Sequence, residues 1–244
     1  MVASELEDWL RHASVAPEVW RLHPGYRVLL LAARGLQPGP SDPISERHLA
    51  AAERTAVSLL GCRAPEQLPE VAAWRAAYRS FGAKPQRTRP SVEALLRRLA
   101  TGLPRVDRLT DTYNAVSISY LLPVGGEDLA RYHGSPRLVR ASGAETFDTT
   151  GPLAPECPDP GEVVWRDDAG VTCRRWNWRQ CARTRMTPAT TTAVFILDWP
   201  PAGGAQPALE DAGAALTREL RELSPDVHVR SRLVQALPSP RAES

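Results

Sequence analysis

An α+β fold, with helices and a mixed sheet layered in one domain, is what the order of patterns along this chain predicts. Three observations carry the prediction. Helical periodicity dominates up to about residue 122, strand patterns take over after Gly125-Gly126, and a helical pattern returns at about 208–223 before a last apolar run. With 244 residues the chain is long enough to bury a real core.

Taken in order, residues 1–22 admit a short amphipathic helix using Leu6, Trp9 and Leu10. Tyr26–Ala33 is a continuous apolar run closed by Gly35, the pattern of a buried strand. Gln37–Pro43 is a Pro/Gly loop, and helical patterns occupy about 44–61 and 68–81, with Pro65 and Pro69 at the join. The segment 90–101 reads as a helix: Pro90 suits a first turn, Glu93 complements the dipole, and Val92, Leu95, Leu96 and Leu99 form one stripe. A further helix over 110–122 places Tyr113, Val116 and Tyr120 on one face and Asn114, Ser117 and Leu121 on another.

Strands are expected at 138–141 and at 162–166, the latter paired with 171–179 through Asp167-Asp168-Ala169-Gly170, a good hairpin connection. Thr191–Trp199 reads as a largely buried strand and 227–234 as a last one; a helix at 208–223 has Leu209, Leu216, Leu220 and Leu223 on one side. The segment 1–24 is then an N-terminal helical extension, 25–236 the body of the domain and 237–244 a frayed tail, with Pro-rich 200–207 as a joining piece.

The charge is nearly balanced at formal +2, which argues against a bulk polyelectrolyte binder and confines any nucleic-acid contact to a local patch. The basic side chains are almost all arginine, Lys84 being the only lysine, and arginine suits bidentate phosphate contact and stacking on bases. Cys62, Cys157, Cys173 and Cys181 show no zinc-finger spacing and read as reduced, structural thiols. The N-terminus lacks the pattern of a secretion signal and no apolar segment approaches membrane-spanning length, so the chain reads as cytoplasmic, without a membrane partner.

Three features bear on chemistry. Asn114 and Ser117, three apart on a helix, share a direction and suit a polar ligand group; alternatively Asn114 bonds to the backbone, as helical asparagines often do. Along 171–179, period-two alternation puts Arg175, Asn177 and Arg179 on one face and Arg174, Trp176 and Trp178 on the other. That polar face is either a pocket wall or a solvated surface. Glu145 and Glu162 are placed to recognise an amino group or a polar side chain, or else to pair with arginine. His12, His23, His48, His133 and His228 have no metal-ligand spacing, and no Ser-His-Asp, Cys-His, phosphate-loop or dinucleotide pattern occurs. No metal or cofactor is therefore expected.

The motifs Tyr-Arg-Ser-Phe-Gly-Ala-Lys-Pro (78–85), Arg-Pro-Ser-Val-Glu-Ala-Leu-Leu-Arg-Arg (89–98), Asp-Thr-Tyr-Asn-Ala-Val-Ser (111–117) and Leu-Leu-Pro-Val-Gly-Gly-Glu-Asp-Leu (121–129) follow one another in order. They continue through Glu-Thr-Phe (145–147), Gly-Glu-Val-Val (161–164) and Arg-Arg-Trp-Asn-Trp-Arg (174–179). As a set they resemble the editing (tRNA-binding) domain of the phenylalanyl-tRNA synthetase β subunit, and more closely its free-standing relatives. The resemblance is strongest over 78–179.

It implies that domain's fold, mischarged tRNA as partner, and hydrolysis of the ester of a non-cognate amino acid, with tyrosyl-tRNA for phenylalanine or canavanyl-tRNA for arginine as substrates. It implies catalytic roles for Asn114, Ser117 and Glu145, and substrate-binding roles for Tyr78, Arg79, Arg89, Glu162, Arg175, Asn177 and Arg179. Two rivals stand beside it: a tRNA or amino-acid binding module without hydrolysis, and a hydrolase of small amino-acid esters free of tRNA.

Overall fold

A computed structural model describes residues 3–149, 156–200 and 207–236. The joining piece at 201–206 and the tail from 237 lie outside the described residues. The chain is α+β, with its strands divided between two sheets. Helix α1 (Ala3–Arg11), strand β1 (Ser14–Val15) and helix α2 (Pro17–Leu22) lead into β2 (Arg27–Arg34). Three helices follow, α3 (Pro43–Leu60), α4 (Pro69–Ser80) and α5 (Ser91–Leu96), then α6 (Arg108–Tyr120). The strands β3 (Val124–Asp128), β4 (Arg137–Arg140), β5 (Val163–Arg166), β6 (Val171–Arg174), β7 (Arg179–Gln180) and β8 (Thr192–Trp199) come next. Helix α7 (Pro207–Leu223) and strand β9 (His228–Gln235) complete the order.

One sheet has the strand order β3-β8-β2-β9 and is antiparallel throughout. Its central strands are apolar on both faces because both faces are covered. In β2, Val28, Leu30 and Ala32 enter one core with Leu6, Leu10, Leu49, Trp74 and Ile118. The alternate residues Leu29, Leu31 and Ala33 enter a second core with Leu209, Leu216, Leu220 and Leu223 of α7. Gly213 lets α7 come close, since a Cβ there would meet Leu29 Cδ2 at 2.3 Å. The other sheet runs β1-β4-β5-β6-β7, with β1 parallel to β4 and the remaining pairs antiparallel. Leu138, Val163, Trp165 and Cys173 turn toward the first core, which therefore fills the space between the two sheets.

Four expectations need correction. The helix expected over 90–101 stops at Leu96, because Arg98 N–H bonds back to Leu95 O and the chain tightens into a 3-10 turn at Leu99–Thr101 before Gly102 at φ +80°. The N-terminal helix breaks after Arg11, where β1 pairs with β4, and restarts with Pro17 in its first turn. Strand β3 was not expected, since its two glycines carry no β-propensity signal. The strand expected over 171–179 is interrupted after Arg174 by a tight turn, with Arg175 at φ +46° and Trp176 at φ +67°. Among the described residues no helix is long and apolar enough to cross a membrane.

Candidate functional site

The interrupted strand builds the most unusual local structure. Left-handed backbone at non-glycine residues costs about 1–2 kcal/mol each, so something must hold Arg175 and Trp176 there. Glu162, buried beneath the turn, accepts from Arg174 Nε at 3.0 Å and Nη2 at 2.8 Å and from the Arg175 N–H at 3.1 Å. Trp176 N–H donates to Val163 O at 2.7 Å, and its fully buried indole packs against Tyr26 at 4.8 Å and Trp74 at 5.3 Å between centroids. One residue on, Asn177 is fixed in a single sense. Tyr78 Oη donates to its Oδ1 at 2.8 Å, and its Nδ2 donates to Asp198 Oδ2 at 3.3 Å. Asp198 also accepts from Tyr26 Oη at 2.5 Å.

The turn is one wall of a cavity of about 240 Å³ at the junction of the two sheets. Asn114 and Tyr113 of α6, Leu95 of α5, Glu127 of β3, Trp165 of β5 and Asp198 of β8 contribute to the lining beside Asn177, Trp178 and Arg179. Arg98 lies at its exposed edge. Among the described residues the Asn114 side-chain amide has no protein hydrogen-bond partner, so its donors and acceptor are open to a ligand.

Two carboxylates here are fully buried. Burial pushes Asp198 up to about 7, against the opposing pull of its bonds from Tyr26 and Asn177. Burial likewise raises Glu127, whose Oε2 accepts from Tyr132 Oη at 2.7 Å and Thr184 Oγ1 at 2.8 Å. Burial also raises the Cys173 thiol, which keeps it in the neutral, weakly nucleophilic form. The four cysteines are free thiols, and no group of three or more His, Cys, Asp or Glu among the described residues is arranged to hold a metal.

Of the sequence-derived candidates, Asn114, Asn177 and Arg179 meet at this cavity, and Tyr78 supports Asn177 from behind. The others lie elsewhere. Ser117 is fully buried and ends α6, its Oγ donating to Leu122 O at 2.7 Å while its carbonyl accepts the Leu122 N–H at 3.1 Å. Glu145 closes its own loop by accepting the Ser142 and Gly143 N–H groups, each at 3.0 Å. Burial pushes the Glu145 carboxyl up, but those bonds outweigh it and hold the group below its ordinary value. Arg79 is exposed on α4, and Arg89 leans on Glu93 at 3.7 Å, a buried carboxylate also held by Arg75 and Arg97. Arg175 lies over the Trp178 ring at 4.6 Å and faces a second cavity, of about 440 Å³, with Lys84 and Arg87. Glu162 borders that second cavity with its oxygens already engaged.

Sequence reasoning missed Asp198 and Glu127. The signal for Asp198 was present: a lone carboxylate in the run Ala-Val-Phe-Ile-Leu-Asp-Trp (193–199), otherwise apolar on both faces. On β8 it follows Val194 and Ile196 on the face toward the first core, where an unpaired charge is costly.

The family model described as the B3/4 domain matches residues 73–209. Among solved structures, an N-terminal fragment of the phenylalanyl-tRNA synthetase β subunit from Pyrococcus horikoshii aligns over 92% of this chain at 10% identity, with a TM-score of 0.48. The aligned region is 54% of that fragment, so this chain spans about half its length. Comparison with curated proteins gave no match.

Proposed function

This chain belongs to the B3/4 domain family, and on that footing we propose that it is a trans-acting aminoacyl-tRNA deacylase whose aminoacyl pocket is the cavity between α6 and the 175–178 turn. The observation that carries the reading is that the open amide of Asn114 and the fixed amide of Asn177 line one small, largely apolar cavity. Such a pocket holds a short polar unit by directed hydrogen bonds and a side chain by shape.

An aminoacyl ester is already activated, and the vicinal ribose hydroxyl assists the attacking water. The protein has to place the ester and the water and to donate to the developing oxyanion. Asn114 supplies a free amide for that donation. The second Nδ2 proton of Asn177 supplies another, since its first is spent on Asp198. Arg98 and Arg179 at the edge take the phosphates of the RNA end, with Trp178 as a stacking surface for its last base. Tyrosyl-tRNA for phenylalanine and canavanyl-tRNA for arginine remain the candidate substrates.

The test is release of amino acid from a panel of mischarged tRNAs. Rapid release from one or a few supports deacylation. Background release throughout, by a folded protein that still binds tRNA, would leave a binding module. Salt-insensitive turnover of a small ester, with no release from tRNA, would favour a tRNA-independent hydrolase.

A further inference from the structure

The loop after α4 presents two cations that the protein itself does not use. The helix ends in a Schellman arrangement: Ala83 N–H donates to Tyr78 O and Gly82 N–H to Arg79 O, each at 3.0 Å, with Gly82 at φ +89°. Pro85 is buried, and Lys84 O accepts from the Arg87 N–H at 2.9 Å and the Thr88 N–H at 3.0 Å. The backbone here is therefore fixed, and Lys84 and Arg87 stand exposed on it while lining the second cavity. Among the described residues neither side chain has a hydrogen bond or an ion pair.

Arg175 lines the same cavity. Its guanidinium makes no hydrogen bond among the described residues. The carboxylates in ion-pair range, Glu162 at 3.5 Å and Asp159 at 3.7 Å, lie beyond hydrogen-bond reach. Glu162 is already engaged by Arg174 at 2.8 Å, and Asp159 is 80% exposed, where water weakens its pull. The cavity thus has a surplus of positive charge and unspent donors from three side chains, in a space of about 440 Å³. An oxyanion with several acceptor oxygens answers both, and phosphate is such a group.

The two cavities share the 175–178 turn, Arg175 lining the second, Asn177 and Trp178 the first. Tyr78 ties them together, its carbonyl holding Ala83 and its hydroxyl holding Asn177. A nucleic-acid strand carries a phosphate at every nucleotide, so a strand whose end lies in the first cavity has further phosphates near this turn. We propose that the second cavity holds a backbone phosphate of the RNA strand that leads to the first. Arg175 offers it a planar fork of donors, and Lys84 and Arg87 close on it from the fixed loop. This contact is additional to those of Arg98 and Arg179 at the edge of the first cavity. The inference rests on the aminoacyl-tRNA reading given above.

The experiment measures binding of uncharged tRNA to the full chain from low to moderate salt, with inorganic phosphate titrated in parallel. In the double variant Lys84→Gln/Arg87→Gln, both sites exposed, affinity is expected to fall about tenfold, the scale of one charge-assisted hydrogen bond. The slope of log affinity against log salt should fall by about 0.7, the value for one phosphate of a single strand. Arg218→Gln/Arg221→Gln removes the same charge from exposed positions on α7 and should leave the slope as it is. Asp159→Asn removes the carboxylate that competes for Arg175 and should tighten binding, a gain that mere structural damage would not give. A folded Lys84→Gln/Arg87→Gln protein with wild-type affinity and slope, or an equal loss in the α7 control, overturns the inference and leaves the deacylase reading standing. Saturable binding of inorganic phosphate that needs Lys84 and Arg87, with no change in the tRNA slope, assigns the cavity to a free phosphate and overturns the RNA assignment. Absence of tRNA binding by the wild-type chain at every salt concentration overturns both.

Discussion

Tyr78 Oη donates to Asn177 Oδ1 over 2.8 Å, joining α4 to the 175–178 turn across 99 residues of sequence. That bond decides which way the Asn177 amide faces, because the oxygen must meet the tyrosine and the nitrogen is left for Asp198 and the cavity. Tyr78→Phe removes the donor while keeping the ring in its buried place. We expect a folded protein destabilised by about 1–2 kcal/mol, the cost of leaving a buried acceptor unmet, with slower ester release. Urea unfolding beside a single-turnover assay checks both. Unchanged release would show that the orientation of Asn177 does not matter.

Asp198 makes stability depend on pH. Its folded pKa, about 7, lies above the unfolded value near ~3.9. The native state therefore holds a proton that the unfolded chain has already lost, and stability falls as pH rises between those values. Asp198→Asn resembles the protonated form and abolishes that slope. Thermal melts at pH 5 and pH 8 are expected to show the variant gaining on the wild type at the higher pH. The same wild-type-to-variant difference at both values would refute the assignment.

The ion pair beneath the turn makes a different prediction. Glu162 faces Arg174 with both oxygens and caps the Arg175 N–H. Glu162→Ala leaves the nearly buried Arg174 with only Glu156, and should cost about 3–5 kcal/mol. It also frees the left-handed turn, so Trp178 fluorescence should change with the melt. A loss below about 1 kcal/mol, the range of exposed pairs, would mean that the pair is not holding the turn.

The proposed phosphate contact at the cavity edge is separable from the proposed chemistry. Arg98→Ala should weaken binding of tRNA regardless of the amino acid attached, and lower the slope of log affinity against log salt by about one. Binding measured from low to moderate salt gives the slope directly. An unaltered slope would remove Arg98 from the RNA path.

Much of the fold was legible in the sequence for a simple reason. Strands β2 and β8 are apolar on both faces and bounded by glycine and proline, and α7 carries its leucines at helical spacing, so pattern and burial agree. The illegible parts are those in which a long-range partner overrides local preference. Nothing in Arg-Arg-Trp-Asn-Trp-Arg (174–179) announces left-handed backbone at two non-glycine residues; Glu162 and the aromatic cluster around Trp176 impose it. The site divided along the same line. Asn114 and Asn177 were visible as polar residues on regular patterns, and they meet at the cavity. Ser117 and Glu145 were visible too, but each turns to backbone groups within five residues of itself, a choice that spacing cannot reveal. Asp198 and Glu127 come to line one cavity only when β3 and β8 pair, and β3 was hidden by its glycines.

The most direct test of the site is single-turnover release of the amino acid from a mischarged tRNA by the wild-type chain, Asn114→Ala and Asn177→Ala, each first shown to be folded and to bind the tRNA. If the cavity is the hydrolytic pocket, the wild type releases the amino acid well above the spontaneous rate. Each variant then loses about tenfold to a hundredfold or more, as expected for removing a donor aimed at the developing charge. Full-speed release by both variants would contradict the assignment of the cavity as the place where the ester is cleaved.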